Sequence, residues 1–155
     1  MAEYRTTSEP EGYEMSKIEW DDSLSIGVDL IDEQHKMLIQ RLNDLSAAIE
    51  KTQGEGGVVQ TLDFLIEYTD FHFSAEEKCM AEHDYPGLEH QKKQHEEFRA
   101  SLKNMVDDYE YEGVTRALTT SVNVFLHNWL INHIKGADRK LGEFLQEKGF
   151  TGETA

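Results

Sequence analysis

Ile31-Asp32-Glu33-Gln34-His35-Lys36-Met37-Leu38-Ile39-Gln40-Arg41-Leu42-Asn43-Asp44-Leu45-Ser46-Ala47-Ala48-Ile49 is the stretch that decides the fold. Its stripe of Ile31, His35, Leu38, Leu42, Leu45 and Ile49 alternates steps of four and three. That is the spacing of one helix face turned to a bundle core, and no two-residue strand period fits it. One member of the stripe is wrong for a core. An imidazole taken out of water is costly unless something compensates it, and His35 stands where a leucine is due.

Three more stretches share the rhythm. The second carries Leu62, Leu65, Thr69, His72, Glu76 and Cys79, and stops before the turn signal Tyr85-Pro86-Gly87. The third carries Gln91, His95, Phe98, Leu102, Met105 and Tyr109, and stops near Gly113. The fourth carries Leu118, Val122, Phe125, Trp129 and His133, and runs on to Leu141 and Leu145. The first ends in Gly54-Glu55-Gly56-Gly57. Short links make consecutive helices antiparallel neighbours, so the expected fold is all-α, an up-down-up-down four-helix bundle. Residues 1–17 are polar and aperiodic and read as a disordered N-terminal arm; residues 18–148 are the bundle and 149–155 a short tail.

The 155 residues suit one domain with a real core. Thirty-one acidic against fifteen basic side chains leave a formal charge of -16, which argues against nucleic acid and anionic membranes as partners. No apolar run approaches the roughly 18 residues of a membrane span. The opening MAEYRTTSEPEGYEM lacks a basic-plus-apolar export pattern, and the lone Cys79 excludes an internal disulfide. The expected location is the cytoplasm.

His35 is not the lone misfit. His72, Glu76, His95 and His133 also fall at core positions, spread over the four helices. Separate accidents would each need a private partner, whereas one compensator serves them all: a metal centre, and one with two ions. His72 and Glu76, four apart, leave one helix face about 40° from each other and reach the same or adjacent ions.

The motifs then resemble the hemerythrin family, particularly its bacterial members. Trp20 with Gly27-Val28-Asp29-Leu30-Ile31-Asp32-Glu33-Gln34-His35 resembles its opening. His72-Phe73-Ser74-Ala75-Glu76-Glu77-Lys78-Cys79-Met80 resembles its second motif, and Tyr85-Pro86 with His95-Glu96-Glu97-Phe98 its third. Trp129-Leu130-Ile131-Asn132-His133-Ile134, with Asp138 beyond, resembles its fourth, and the likeness covers about residues 18–147. The resemblance implies a non-haem di-iron centre, oxo- or hydroxo-bridged when oxidised, that binds O2 or another small diatomic ligand. It implies His35 and His72 on the iron with the open place, Glu76 and Asp138 as bridges, and His95 and His133 on the second iron. It gives Trp129, Leu130 and Ile134 as the apolar wall of the oxygen pocket.

The chain departs from the family at Gln91, where a third histidine on the second iron is usual. His90 stands beside it, but five residues of α-helix turn through about 500°, which aims His90 roughly 140° from His95. Gln91 itself, a water, or His90 on a bulged helix can fill the place; the spacing favours the first two. His133 and Asp138 are likewise five apart, so irregular winding is expected near Gly136. His83 and His127 have no motif role, with His127 off the seam. Cys79 reads as a core-edge thiol, Tyr68, Tyr109 and Tyr111 as packing residues, and Glu77 as a surface residue. Two functions follow: an O2-binding protein for storage, delivery or sensing, or a di-iron enzyme acting on peroxide, NO or ferrous iron through a more open second iron.

Overall fold

A computed structural model of the chain describes residues 15–52 and 58–150. The expected arm up to residue 14, the glycine-rich link at 53–57 and the tail beyond 150 lie outside the described residues. A short 3-10 turn, Asp22–Leu24, precedes helix α1 (Asp29–Thr52), followed by α2 (Val58–Glu82) and α3 (Leu88–Glu112). The fourth rod, α4 (residues 116–147), comes in five joined pieces: α-helical Arg116–Thr120, π-helical Ser121–Leu126, α-helical His127–His133, π-helical Ile134–Asp138 and α-helical Arg139–Glu147. Local chemistry sets the ends. Asp32 accepts from the Ile26 N–H at 2.9 Å and the Ser25 hydroxyl, pinning the entry to α1, where Gly27 takes φ +82°. The Thr115 hydroxyl caps α4 by accepting from Leu118 N–H at 3.0 Å.

Side-chain contacts fix the helix directions. Gln34 meets His72 while Arg41 lies over Phe64, so α1 and α2 run oppositely. Glu77 meets His95 and Asp70 meets Arg99, which makes α3 antiparallel to α2. Gln91 meets Asp138 and Gln94 meets His133, and the order reverses again between α3 and α4. His35 meets Asp138 and Ser46 meets His127, closing the ring between α1 and α4. The molecule is an antiparallel four-helix bundle.

The stripes of α1, α2 and α3 lie inside as the spacing predicts, with Cys79 and Tyr109 half-buried at the edges. The stripe of α4 does not. Phe125 is exposed and Trp129 only half-buried, while Leu126 and Leu130 fill the core. The π-turn at Ser121–Leu126 is the reason: its wider winding delays each later side chain, so Leu126 takes the core place expected of Phe125. The same delay carries His127 inward, where it is buried and faces Ser46 Oγ at 3.5 Å; it is not off the seam. Tyr111, expected to pack, is exposed.

Both ends of the described chain are tied down. Met15 N–H donates to Glu50 and Ser16 N–H to Asn123 Oδ1, so residues 15–17 lie on the bundle where the sequence reads as a free arm. Gly149, at φ +81°, turns the chain out of α4, and Phe150 packs on His83. No helix among the described residues is long and apolar enough to cross a membrane.

Candidate metal centre

Six side chains from four helices meet in the half of the bundle that holds the start of α1 and the end of α2: His35 of α1, His72 and Glu76 of α2, His95 of α3, and His133 and Asp138 of α4. None is more than 4% exposed. The two carboxylates stand between two pairs of histidines. Glu76 Oε2 lies 3.7 Å from His35 Nε2 and 3.6 Å from His72 Nε2, while its Oε1 lies 3.1 Å from His95 Nε2. Asp138 Oδ2 lies 3.0 Å from His35 Nε2, and its Oδ1 lies 3.3 Å from His133 Nε2. Each carboxylate thus turns one oxygen to each pair. The π-turn at Ile134–Asp138 makes this possible by bringing residues five apart to one side of the helix.

Three of the four histidines have their outward nitrogens held, while His35 Nδ1 is buried without a partner. His72 Nδ1 meets Gln34 Oε1 at 2.8 Å, His95 Nδ1 meets Glu77 Oε2 at 2.8 Å, and His133 Nδ1 meets Gln94 Oε1 at 2.5 Å. An imidazole N–H donating outward leaves the opposite nitrogen bare and aimed inward. Inside, the atoms are close but poorly aligned with one another. His35 Nε2, His95 Nε2, His133 Nε2, both Glu76 oxygens and Asp138 Oδ2 are buried without a well-formed hydrogen bond. Groups that converge on shared points rather than on each other fit metal ions. His35, His72, Glu76 and Asp138 offer one cluster of ligand atoms within 4.8 Å, and Glu76, His95 and His133 a second.

Protonation carries the same message. Burial alone would make Asp138 a stronger base, but His133 and His35 beside it hold its carboxyl well below the usual range. Glu76 is lowered too, against its burial and the nearby Asp138 charge, by His72, His35 and His95. Burial pulls His35 down, but the Asp138 and Glu76 carboxylates outweigh it and push it up to about 10. His72 is dominated by burial and falls to about 4. Without metal, the two buried carboxylates draw protons onto His35 and His133, and a bound cation would take the place of those protons.

Comparison with known proteins gives the same answer. The family model described as the hemerythrin HHE cation binding domain matches residues 26–145. The chain belongs to the hemerythrin family. It is 34% identical over 125 residues to a bacteriohemerythrin of Stenotrophomonas maltophilia, covering 81% of this chain and 79% of that one. It is 30% identical over 131 residues to a myohemerythrin of Theromyzon tessulatum, covering 84% and 92%. A solved hemerythrin point mutant superposes with a TM-score of 0.73 at 25% identity, over 84% of this chain and 98% of the other. Hemerythrin-family proteins bind a di-iron centre, and the donors gathered here are of the right chemistry for one.

Helix α3 stays regular at Gln91, the position expected to depart from the family. Gln91 faces inward, 1% exposed, and its Nε2 donates to Asp138 Oδ1 at 3.0 Å. An ionised carboxylate offers only acceptors, which turns the amide nitrogen toward it and leaves Gln91 Oε1 without a partner. His90 is exposed and accepts from Gln94 Nε2 at 2.9 Å, outside the cluster. Leu130 and Ile134 are buried in the core. Trp129 lies instead on the His133 side: its ring stacks on His133 at 4.5 Å and lines a cavity of about 650 Å³ with Gln91, Gln94 and His133.

Sequence reasoning missed the three holders Gln34, Glu77 and Gln94. Glu77 is no free surface residue: it is bonded to His95 and lies 4.0 Å from Arg99. A signal was present. Each holder directly adjoins a cluster residue in sequence, at 35, 76 and 95, and so points about 100° round the helix toward a neighbouring one.

Proposed function

We propose that the protein binds O2 for storage, delivery or sensing, at a di-iron centre in which His35 and His72 would hold one iron and His95 and His133 the other. Glu76 and Asp138 span the two. The observation that carries this reading is the two-sidedness of both carboxylates, each with one oxygen toward each histidine pair. Two ferrous ions held there would supply the reversible two-electron chemistry that O2 binding requires. The protein's own part is to hold and to exclude. Gln34, Glu77 and Gln94 fix the orientation of the imidazoles, so that little rearrangement accompanies binding. Leu130, Ile134, His35 and His72 are each at most 1% exposed, a buried setting that would keep water and protons from bound gas.

Anaerobic titration of the diferrous protein with O2 tests the reading. A charge-transfer band that appears with O2 and vanishes under vacuum is expected. Immediate irreversible oxidation in the first cycle refutes it and supports the second reading, an enzyme acting on peroxide, NO or ferrous iron. One observation favours that alternative: Gln91 and His133 line a cavity of about 650 Å³.

A further inference from the structure

We propose that the cavity between α3 and α4 is the port by which a divalent cation enters the core, with Gln91 Oε1 as the acceptor that takes it over from water. Such a port presupposes the di-iron reading and concerns how the ions arrive, not what they do once held.

A buried centre has to be filled through some part of the fold. His35, His72, Glu76 and His95 are each at most 1% exposed. His133 is the cluster residue that lines the cavity of about 650 Å³. Gln91, also in its wall, reaches a second cluster residue by donating its amide nitrogen to Asp138 Oδ1 at 3.0 Å. A cation carrying six waters takes up roughly 200 Å³ at about 30 Å³ per water, so the hydrated ion has room.

To go deeper the ion must exchange its waters for protein atoms, because an uncoordinated charge is costly away from solvent. Gln91 supplies the first. With its nitrogen given to Asp138, its Oε1 is left without a partner at 1% exposure. An amide oxygen only accepts, so a donor or a cation satisfies it and an anion does not. The rim has the matching character. Exposed Glu97, His90 and Asn132 present a carboxylate, an imidazole and an amide, with Lys140 as the opposing charge. Among the described residues, the two groups of three or more metal-type side chains close enough to hold an ion both lie in the core. The rim therefore passes an ion inward and does not keep it.

Cobalt(II) is the probe, because its visible absorption reports entry into a site of nitrogen and oxygen donors. The metal-free full chain is mixed with it by stopped flow, and bound metal is counted at the end. Glu97→Lys is expected to slow uptake roughly three- to tenfold and Lys140→Glu to quicken it by a similar factor, with two ions bound at the end in both. Glu67→Lys makes the same charge change at an exposed place on α2, which lends no residue to the cavity, and should matter far less. Gln91→Leu removes the acceptor and should slow uptake at least as much as Glu97→Lys. Rim variants without effect, equal slowing by Glu97→Lys and Glu67→Lys, or a rate independent of cobalt concentration overturns the port while the di-iron reading stands. So does Gln91→Leu that takes up cobalt at the wild-type rate and only releases it faster, the mark of a residue that merely holds Asp138. A wild-type chain that ends with fewer than two ions overturns both, and the final count tells the cases apart.

Discussion

Glu77 gives the sharpest test of how this centre is built, because its carboxylate touches the cluster only through an imidazole. Its Oε2 accepts from His95 Nδ1 at 2.8 Å, and its side chain is 21% exposed. Phe73 stacks on the same imidazole at 3.8 Å, and Arg99 lies over the Phe73 ring at 5.3 Å. The packing would keep His95 roughly in place without Glu77, but not its tautomer. Glu77→Ala frees Nδ1 to bind water, lets the N–H move to Nε2, and weakens the basicity of the nitrogen that faces the metal. Outer carboxylate partners of ligating histidines are worth about 10- to 100-fold in metal affinity, or roughly 1.4–2.8 kcal/mol. The loss should fall on one of the two binding constants, since His35 and His72 do not touch Glu77. Competition against a calibrated chelator, with Fe(II) added anaerobically, resolves the two constants. Glu77→Gln keeps an acceptor without the charge and should lie between wild type and Glu77→Ala. Two constants unchanged in Glu77→Ala would show that the hydrogen bond has no bearing on the metal.

Other expectations follow from the same geometry. Glu76→Ala or Asp138→Ala removes a carboxylate that faces both histidine pairs, so metal content should fall below two ions per chain, read by metal analysis; two retained, magnetically coupled irons in either variant would refute the bridging role. Metal-free protein should be most stable near neutral pH, measured as urea midpoints at about pH 5, 7 and 9. On the alkaline side, His35 at about 10 holds a proton that the unfolded chain has released above about 6.5, so its contribution is complete below that value and is lost as pH rises toward 10. On the acid side, His72 at about 4 stays neutral while the unfolded chain takes up a proton below about 6.5, so stability falls as pH drops toward 4; a flat profile contradicts both. Gly142→Ala places a Cβ 2.1 Å from the Ile26 carbonyl oxygen inside the bundle, and a clash with backbone should cost about 1–3 kcal/mol, seen as a melting temperature lowered by several degrees.

The bundle was legible because three of its four helices keep one winding throughout. In α1, Ile31, His35, Leu38, Leu42, Leu45 and Ile49 lie inside together, and the same spacing places His72, Glu76 and His95. The holders were not legible by that route. Stripe counting asks only which residues face the core, whereas Gln34 and Gln94 face a neighbouring helix across the rim of the cluster and are half-buried. Their partners, His72 and His133, come from other helices, and no spacing within one helix reports a contact between two.

The fourth helix shows where the template fails and why the failure matters. Among its buried residues, Val122, Leu126, Leu130, Ile134 and Asp138 form a run spaced by four at every step. In a regular α-helix each such step overshoots a full turn by about 40°, so Asp138 would end roughly 160° from Val122. The π-turns at Ser121–Leu126 and Ile134–Asp138 absorb that drift. An unbroken run of fours is thus a sequence sign of widened winding, and a template of alternating fours and threes passes over it, putting Phe125 in place of Leu126. The contrast with α3 isolates the effect. His90 and His95 are five apart, as are His133 and Asp138. On the regular α3 that spacing leaves His90 at the surface, bonded to Gln94. On the π-turn of α4 it brings Asp138 against His133 at 3.3 Å. Identical spacing gives a surface residue in one helix and a cluster residue in the other, and the winding between them makes the difference.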